Sequence, residues 1–187
     1  MAPLAALKAR SRADYPFLLD YRTRWADNDM YAHMNNSVYH FLLDSVINTY
    51  LVQHCGLDPA RRTPQYGMVV HAHTDFFASL AFPAVAELAL RVARLGRSSV
   101  RYEVGVFEQG VAQVRAVGVF VQVFVDPATD RPNAATGMDA RMRAGLERIR
   151  VRLPGDEEEE EAEKAEEEKN RDSQQRETRP AKARSKL

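Results

Sequence analysis

The chain has 187 residues, 45% of them apolar, and its 26 basic and 26 acidic side chains cancel to a formal net charge of zero. That length suits one domain with a real core, and the charge balance argues against a nucleic-acid-binding stripe or a polybasic membrane patch. Cys55 is the only cysteine, so a disulfide framework within one chain is excluded and a reducing interior is expected.

Residues 1–15 carry two small basic clusters and no apolar stretch of the secretory kind, and read as a flexible lead-in. No apolar run approaches the roughly 18 residues that span a bilayer, so a soluble intracellular protein without a membrane span is expected. Phe17, Leu19, Tyr21, Thr23 and Trp25 alternate with Leu18, Asp20, Arg22 and Arg24, the pattern of a half-buried strand. From Asn36 to His54 the period changes. Val38, Phe41, Leu42, Val46, Ile47, Tyr50 and Leu51 recur at helical spacing; Asn35 or Asn36 can cap the start and Gly56 can end it. The apolar surface runs most of the way round, which predicts a helix buried on several sides.

After a polar connection, four strand-like runs follow at 67–77, 84–95, 98–108 and 111–125, separated by Ala81-Phe82-Pro83, Gly96-Arg97 and Gln109-Gly110. The last is rich in Val and Phe, as a central strand would be. A short closing helix is expected at 140–151. One strand, one buried helix and an antiparallel meander make an α+β domain over 16–153, with the sheet wrapped around one long helix. Near Pro154 the composition breaks into a run of Glu and Asp and then a basic stretch. Residues 154–187 have little to bury and are expected to be a disordered charged tail.

The segment that carries chemistry runs from Trp25 to Tyr39. Asp27, Asp29, His33, Asn35 and Asn36 crowd the junction between the first strand and the buried helix. Thioester hydrolysis needs a carboxylate that attacks the carbonyl or activates water, and donors aimed at the oxyanion. A helix N-terminus supplies such donors. The plain alternative is a polar loop with an Asx turn and an N-cap.

This segment resembles the signature of hot-dog-fold thioesterases, of both the 4-hydroxybenzoyl-CoA thioesterase type and the plant acyl-ACP thioesterases. The first type carries Asp-x-Asp at the end of the first strand, matched by Asp27 and Asp29, with the second Asp catalytic. The plant pattern Asp-x-Asn-x-His-x-Asn-Asn is matched by Asp29, His33, Asn35 and Asn36, but Tyr31 stands where its first Asn belongs. That departure favours a mechanism centred on Asp29. The likeness in element order covers roughly 17–150.

The resemblance implies a hot-dog fold and hydrolysis of an acyl-CoA, with Asp29 as nucleophile or general base. A backbone N–H near Asn36 would polarise the carbonyl, with Tyr39 beside the substrate. His33 would orient Asp29 or water, or serve as a structural hydrogen-bonder. Asp44, on the helix, is the competing carboxylate; its other reading is a polar residue at a subunit contact. The Arg94–Ser99 hairpin makes Arg97 and Ser98 candidates for the CoA phosphates. No metal or redox cofactor is implied, and His71 and His73 on one strand lack a convincing third ligand. The resemblance further implies a homodimer or homotetramer with sites at subunit contacts. Within the same fold, a catalytically silent acyl-CoA-binding or assembly module is the alternative function. Ser185-Lys186-Leu187 matches the peroxisomal import signal read by a receptor at the free carboxyl end. A peroxisomal location is therefore expected, and otherwise a cytoplasmic one.

Overall fold

A computed structural model describes residues 3–60, 65–132, 137–154 and Asp156. The expected charged tail, apart from Pro154 and Asp156, lies outside the described residues, as does its terminal tripeptide. The elements in order are α1 (Leu4–Lys8), β1 (Phe17–Arg22), α2 (Asn36–His54), β2 (Tyr66–Phe76), β3 (Val85–Leu95), β4 (Ser99–Glu108), β5 (Val114–Val125) and α3 (Ala140–Glu147). The five strands form one antiparallel sheet in the order β1-β3-β4-β5-β2. The α+β hot-dog arrangement is therefore present. β5 is interior as its composition suggests, although β4 holds the middle place.

Alternation along the strands decides which face meets the helix. Leu88, Leu90 and Val92 on β3, Tyr102, Val104 and Val106 on β4, and Phe120 on β5 turn toward Leu43, Val46 and Ile47 of α2, all in one buried cluster. Burying one such side chain contributes about 1.5–3 kcal/mol. Gly118 lets α2 sit close: a Cβ there would lie 2.3 Å from Leu43 Cδ1. Asn35 caps α2 by accepting the Ser37 N–H at 3.0 Å, and Gly56 ends it at φ +78°, a conformation that glycine adopts without a Cβ penalty.

Helix α2 is not enclosed on all sides within one chain. Phe41 (72% exposed) and Val52 (44%) stand with the exposed Asp44 and Ser45 on a face that the sheet leaves uncovered. The all-round apolar pattern had suggested fuller burial. β1 also stops early: Trp25 turns out into a short 3-10 turn over Trp25–Asp27 and is 81% exposed. α3 ends at Glu147 because the next residues go to the sheet. Val92 N–H donates to the Ile149 carbonyl at 2.9 Å and Val151 N–H to the Val92 carbonyl at 3.2 Å.

The outer face of the sheet carries residues of the lead-in, with Asp156 beside them. Leu7 and Tyr15 pack with Ala89, Phe107 and Val117, so the described part of the 1–15 lead-in is held down. Beside them Glu103 accepts from Arg91 (3.1 and 2.6 Å), Arg10 (3.0 Å) and the Tyr15 hydroxyl (2.9 Å). Arg91 also donates to both oxygens of Asp156 (2.7 and 2.8 Å). Burial alone would push the Arg91 guanidinium down, but the two carboxylates outweigh it and raise its pKa. Burial and the Glu103 carboxylate both raise the Tyr15 hydroxyl.

Candidate functional site

The loop between β1 and α2 is built on Asp27. Its side chain, 1% exposed, accepts from the Tyr21 hydroxyl (2.8 Å), the Arg24 N–H (2.7 Å) and the Arg24 guanidinium (3.0 and 2.8 Å). Burial pushes the Asp27 carboxyl up, yet these hydrogen bonds outweigh it, so its pKa is lowered. The Asp27 carbonyl then accepts the Asn35 N–H at 2.8 Å, which closes the loop on itself. Asn28 bridges to Met34 and accepts the Phe82 N–H at 3.0 Å, while Met34 N–H donates to the Leu80 carbonyl at 2.7 Å. The loop is thus stitched to residues 80–82.

Within this frame Asp29 makes a tight Asx turn. Oδ1 accepts the Tyr31 N–H at 2.8 Å and the His33 N–H at 3.3 Å. Asp29 N–H returns to the His33 carbonyl at 2.8 Å. Ala32 adopts φ 60°, a left-handed conformation held against a cost of about 1 kcal/mol or more. Among the described residues no donor meets Asp29 Oδ2, and no acceptor meets the Asn36 N–H at the first position of α2. One carboxylate oxygen and one helix-terminal donor are thereby left for a ligand.

Beside them opens a cavity of about 330 Å³, walled by His33, Met34, Asn36 and Tyr39 on one side and residues 76–79 on the other. The structure therefore gathers three of the residues singled out in the sequence (His33, Asn36 and Tyr39). Asp29 does not line the cavity; it is joined to the wall through its two hydrogen bonds with His33. The imidazole of His33 is exposed. Tyr39 is buried and meets Phe76 edge-on, centroids 5.1 Å apart at 84°. Burial raises its hydroxyl pKa, offset in part by the Leu80 backbone and the Arg115 charge.

Arg97 and Ser98 are placed elsewhere. Arg22, at the loop end of β1, pairs with Val85 at the start of β3, whereas the hairpin follows Leu95 at its far end. Eleven residues of β3 at about 3.3 Å each put the hairpin roughly 30 Å from the Asp29 loop within one chain. Arg97 there offers its carbonyl to the Met138 N–H at 2.9 Å, and Ser98 its carbonyl to the Phe124 N–H at 2.7 Å. Asp44 lies on the uncovered face of α2, with the Asn48 amide donating to its Oδ1 at 3.0 Å. His73 Nε2 lies 3.2 Å from Asp75 Oδ2. Burial pushes the Cys55 thiol up to about 11, eased only slightly by Arg148, so it is no nucleophile near neutral pH.

Residues 76–79 were not singled out from the sequence. Phe76 reads there as the end of a strand and Ser79 as connection. Only the pairing of Phe76 with Ala116, which carries the end of β2 beside α2, brings them to the cavity.

Residues 23–152 match the thioesterase-like superfamily. Among solved structures, the PA5185 protein of Pseudomonas aeruginosa is 40% identical, with 75% of this chain and 96% of that one covered and a TM-score of 0.71. A Staphylococcus aureus protein in complex with CoA matches at 13% identity over 75% and 90% of the two chains, with a TM-score of 0.66. A 1,4-dihydroxy-2-naphthoyl-CoA thioesterase from Synechocystis matches at 14% over 70% and 94%, with a TM-score of 0.62. No curated protein matches the sequence.

Proposed function

Because the chain belongs to the thioesterase-like superfamily, we propose that it hydrolyses an acyl-CoA to the free acid and CoA. The observation that carries this reading is local. Among the described residues, Asp29 keeps one carboxylate oxygen unengaged and Asn36 keeps one backbone N–H unengaged, on one loop beside one cavity. The thioester carbonyl oxygen accepts from the Asn36 N–H, which strengthens as negative charge grows on it. Asp29 then attacks the carbonyl carbon and expels CoA thiolate to leave a mixed anhydride that water opens, or it draws a proton from the attacking water. The CoA held by the Staphylococcus aureus protein of like fold is in keeping with a CoA thioester as substrate.

The working unit we propose is a homodimer or a larger homo-oligomer. β2 ends the sheet order with Met68, Val69 and Val70 exposed, and Phe41 and Val52 stand bare on α2. A second copy would cover both. It would also offer a route for Arg97 and Ser98 of one chain to reach CoA bound at Asp29 of the other.

A peroxisomal address is proposed from Ser185, Lys186 and Leu187. A reporter carrying residues 154–187, with Leu187 as its free terminus, should enter peroxisomes; one that stays in the cytosol removes the assignment.

The function itself is tested by following thiol release from a panel of acyl-CoAs with the full-length chain. At least one substrate should turn over, and Asp29→Asn should lower kcat by roughly 100-fold or more. A protein that binds acyl-CoA and hydrolyses none would be a silent module instead.

A further inference from the structure

The cavity walled by His33, Met34, Asn36, Tyr39 and residues 76–79 backs, on its Tyr39 side, onto the core. Tyr39 belongs to the same packed cluster as Leu43, Val106 and Ala116, each 0% exposed. Interiors packed to that density hold few voids larger than a water molecule, so on its Tyr39 side the cavity meets the packed layer between α2 and the sheet. The ring of Tyr39 is fixed from the open side as well, by its edge-on contact with Phe76. At about 330 Å³ the space lies at the small end of the roughly 300–1,000 Å³ range of ligand pockets.

We propose that Tyr39, braced by Phe76, is the residue that limits acyl length, and that the substrate is an acyl-CoA with a short, compact acyl group. The inference rests on the hydrolase reading above and deepens it. The Asn36 N–H fixes where the carbonyl sits, and Tyr39 lies three residues further on, close to one turn along the same helix. An acyl chain starting at that carbonyl therefore meets the ring within the first few carbons. An open apolar groove would reward each added methylene by about fourfold in affinity. A wall reverses that trend, because a chain that cannot advance must bend back into water or displace a packed ring. A second copy seated along β2 would close the open side of the cavity without moving the Tyr39 end.

The test compares kcat/KM for butyryl-, hexanoyl-, dodecanoyl- and palmitoyl-CoA with the full-length chain and three variants. The wild type should favour hexanoyl- over palmitoyl-CoA at least tenfold. Tyr39→Leu, which removes the ring but keeps the site apolar, should shrink that ratio tenfold or more, and Tyr39→Phe should keep the short-chain bias. Because Tyr39 is buried, Phe76→Ala serves as a second route: Phe76 is 47% exposed, and removing it frees the Tyr39 ring to swing, moving the ratio the same way. Wild-type palmitoyl-CoA turnover equal to that of hexanoyl-CoA overturns the proposal and leaves the hydrolase intact. So does a short-chain bias that neither Tyr39→Leu nor Phe76→Ala alters. Failure to hydrolyse any of the four, while another acyl-CoA of the wider panel turns over, overturns this inference alone; failure on the whole panel removes the hydrolase reading with it.

Discussion

Asp27 and Asp29 stand two residues apart in one loop with opposite surroundings. Asp27 is 1% exposed, and both of its oxygens are taken up by Tyr21 and Arg24. Asp29 is half-buried and holds two backbone N–H groups with Oδ1 alone. The same residue type thus serves as a strut in one position and, among the described residues, keeps one carboxylate oxygen without a donor in the other.

The two should separate by mutation. Asp27→Asn loses charge-assisted hydrogen bonds, each typically about 1.5–3 kcal/mol, and should lower the urea midpoint while folded protein keeps some turnover. Asp29→Asn should hold the unfolding free energy within roughly 1 kcal/mol of wild type, because an amide oxygen still accepts from Tyr31 and His33, while turnover collapses. Equal loss of stability in both variants would contradict the division of roles.

The Asp27 strut carries a pH signature. Its folded-state pKa is lowered, so its contribution is complete above the ordinary carboxylate value and is lost as pH falls through the folded value. The stability gap between wild type and Asp27→Asn should therefore be constant from neutrality down to about pH 4 and shrink below it. Urea unfolding at stepped pH measures this. A gap that stays the same at pH 3 would mean that the Arg24 and Tyr21 contacts do not favour the ionised form.

The Asp29–Asn36 segment was legible because its chemistry is local: strand end, Asx turn, cap and helix start follow one another in the chain. The helix bounds from Asn36 to His54 were legible for the same reason, with a cap at one end and Gly56 at the other. What could not be read depends on packing between distant segments. The Phe76 side of the cavity is set by strand pairing, and the roughly 30 Å between Arg97 and Asp29 by the direction in which β3 leaves Val85. The anchoring of Arg10 and Tyr15 is set by a carboxylate 93 and 88 positions away, and that of Leu7 by Ala89, Phe107 and Val117. None of these separations leaves a periodic trace in the sequence.

That anchoring makes a stability prediction on the outer face of the sheet. Glu103→Gln takes the counter-charge from the buried Arg10, while Arg91 keeps Asp156; removing one partner of a buried pair typically costs about 3–5 kcal/mol. Deleting residues 1–15 removes the buried Leu7, Arg10 and Tyr15 and should also lower Tm, by several degrees or more. A deletion that leaves Tm unchanged would show that the segment does not hold to the sheet in solution.

The position of Arg97 yields the most decisive experiment on the assembly. If Arg97 contacts the CoA phosphates, Arg97→Ala should raise KM more than it lowers kcat, because such a contact holds ground state and transition state alike. Within one chain, however, β3 separates Arg97 from Asp29 by its full length. The shared site proposed above has them come from different copies. Co-expressing Asp29→Asn chains with Arg97→Ala chains distinguishes the cases. In a symmetric dimer whose sites combine Asp29 of one chain with Arg97 of the other, each mixed dimer holds one site with neither defect. Random pairing then restores about a quarter of the wild-type sites. If both residues act from the same chain, every mixed dimer carries one defect in each site, and no site with wild-type kcat and KM appears. Sites with both wild-type parameters, at that fraction, would establish the shared site; their absence from a preparation shown to contain mixed dimers would remove Arg97 from it.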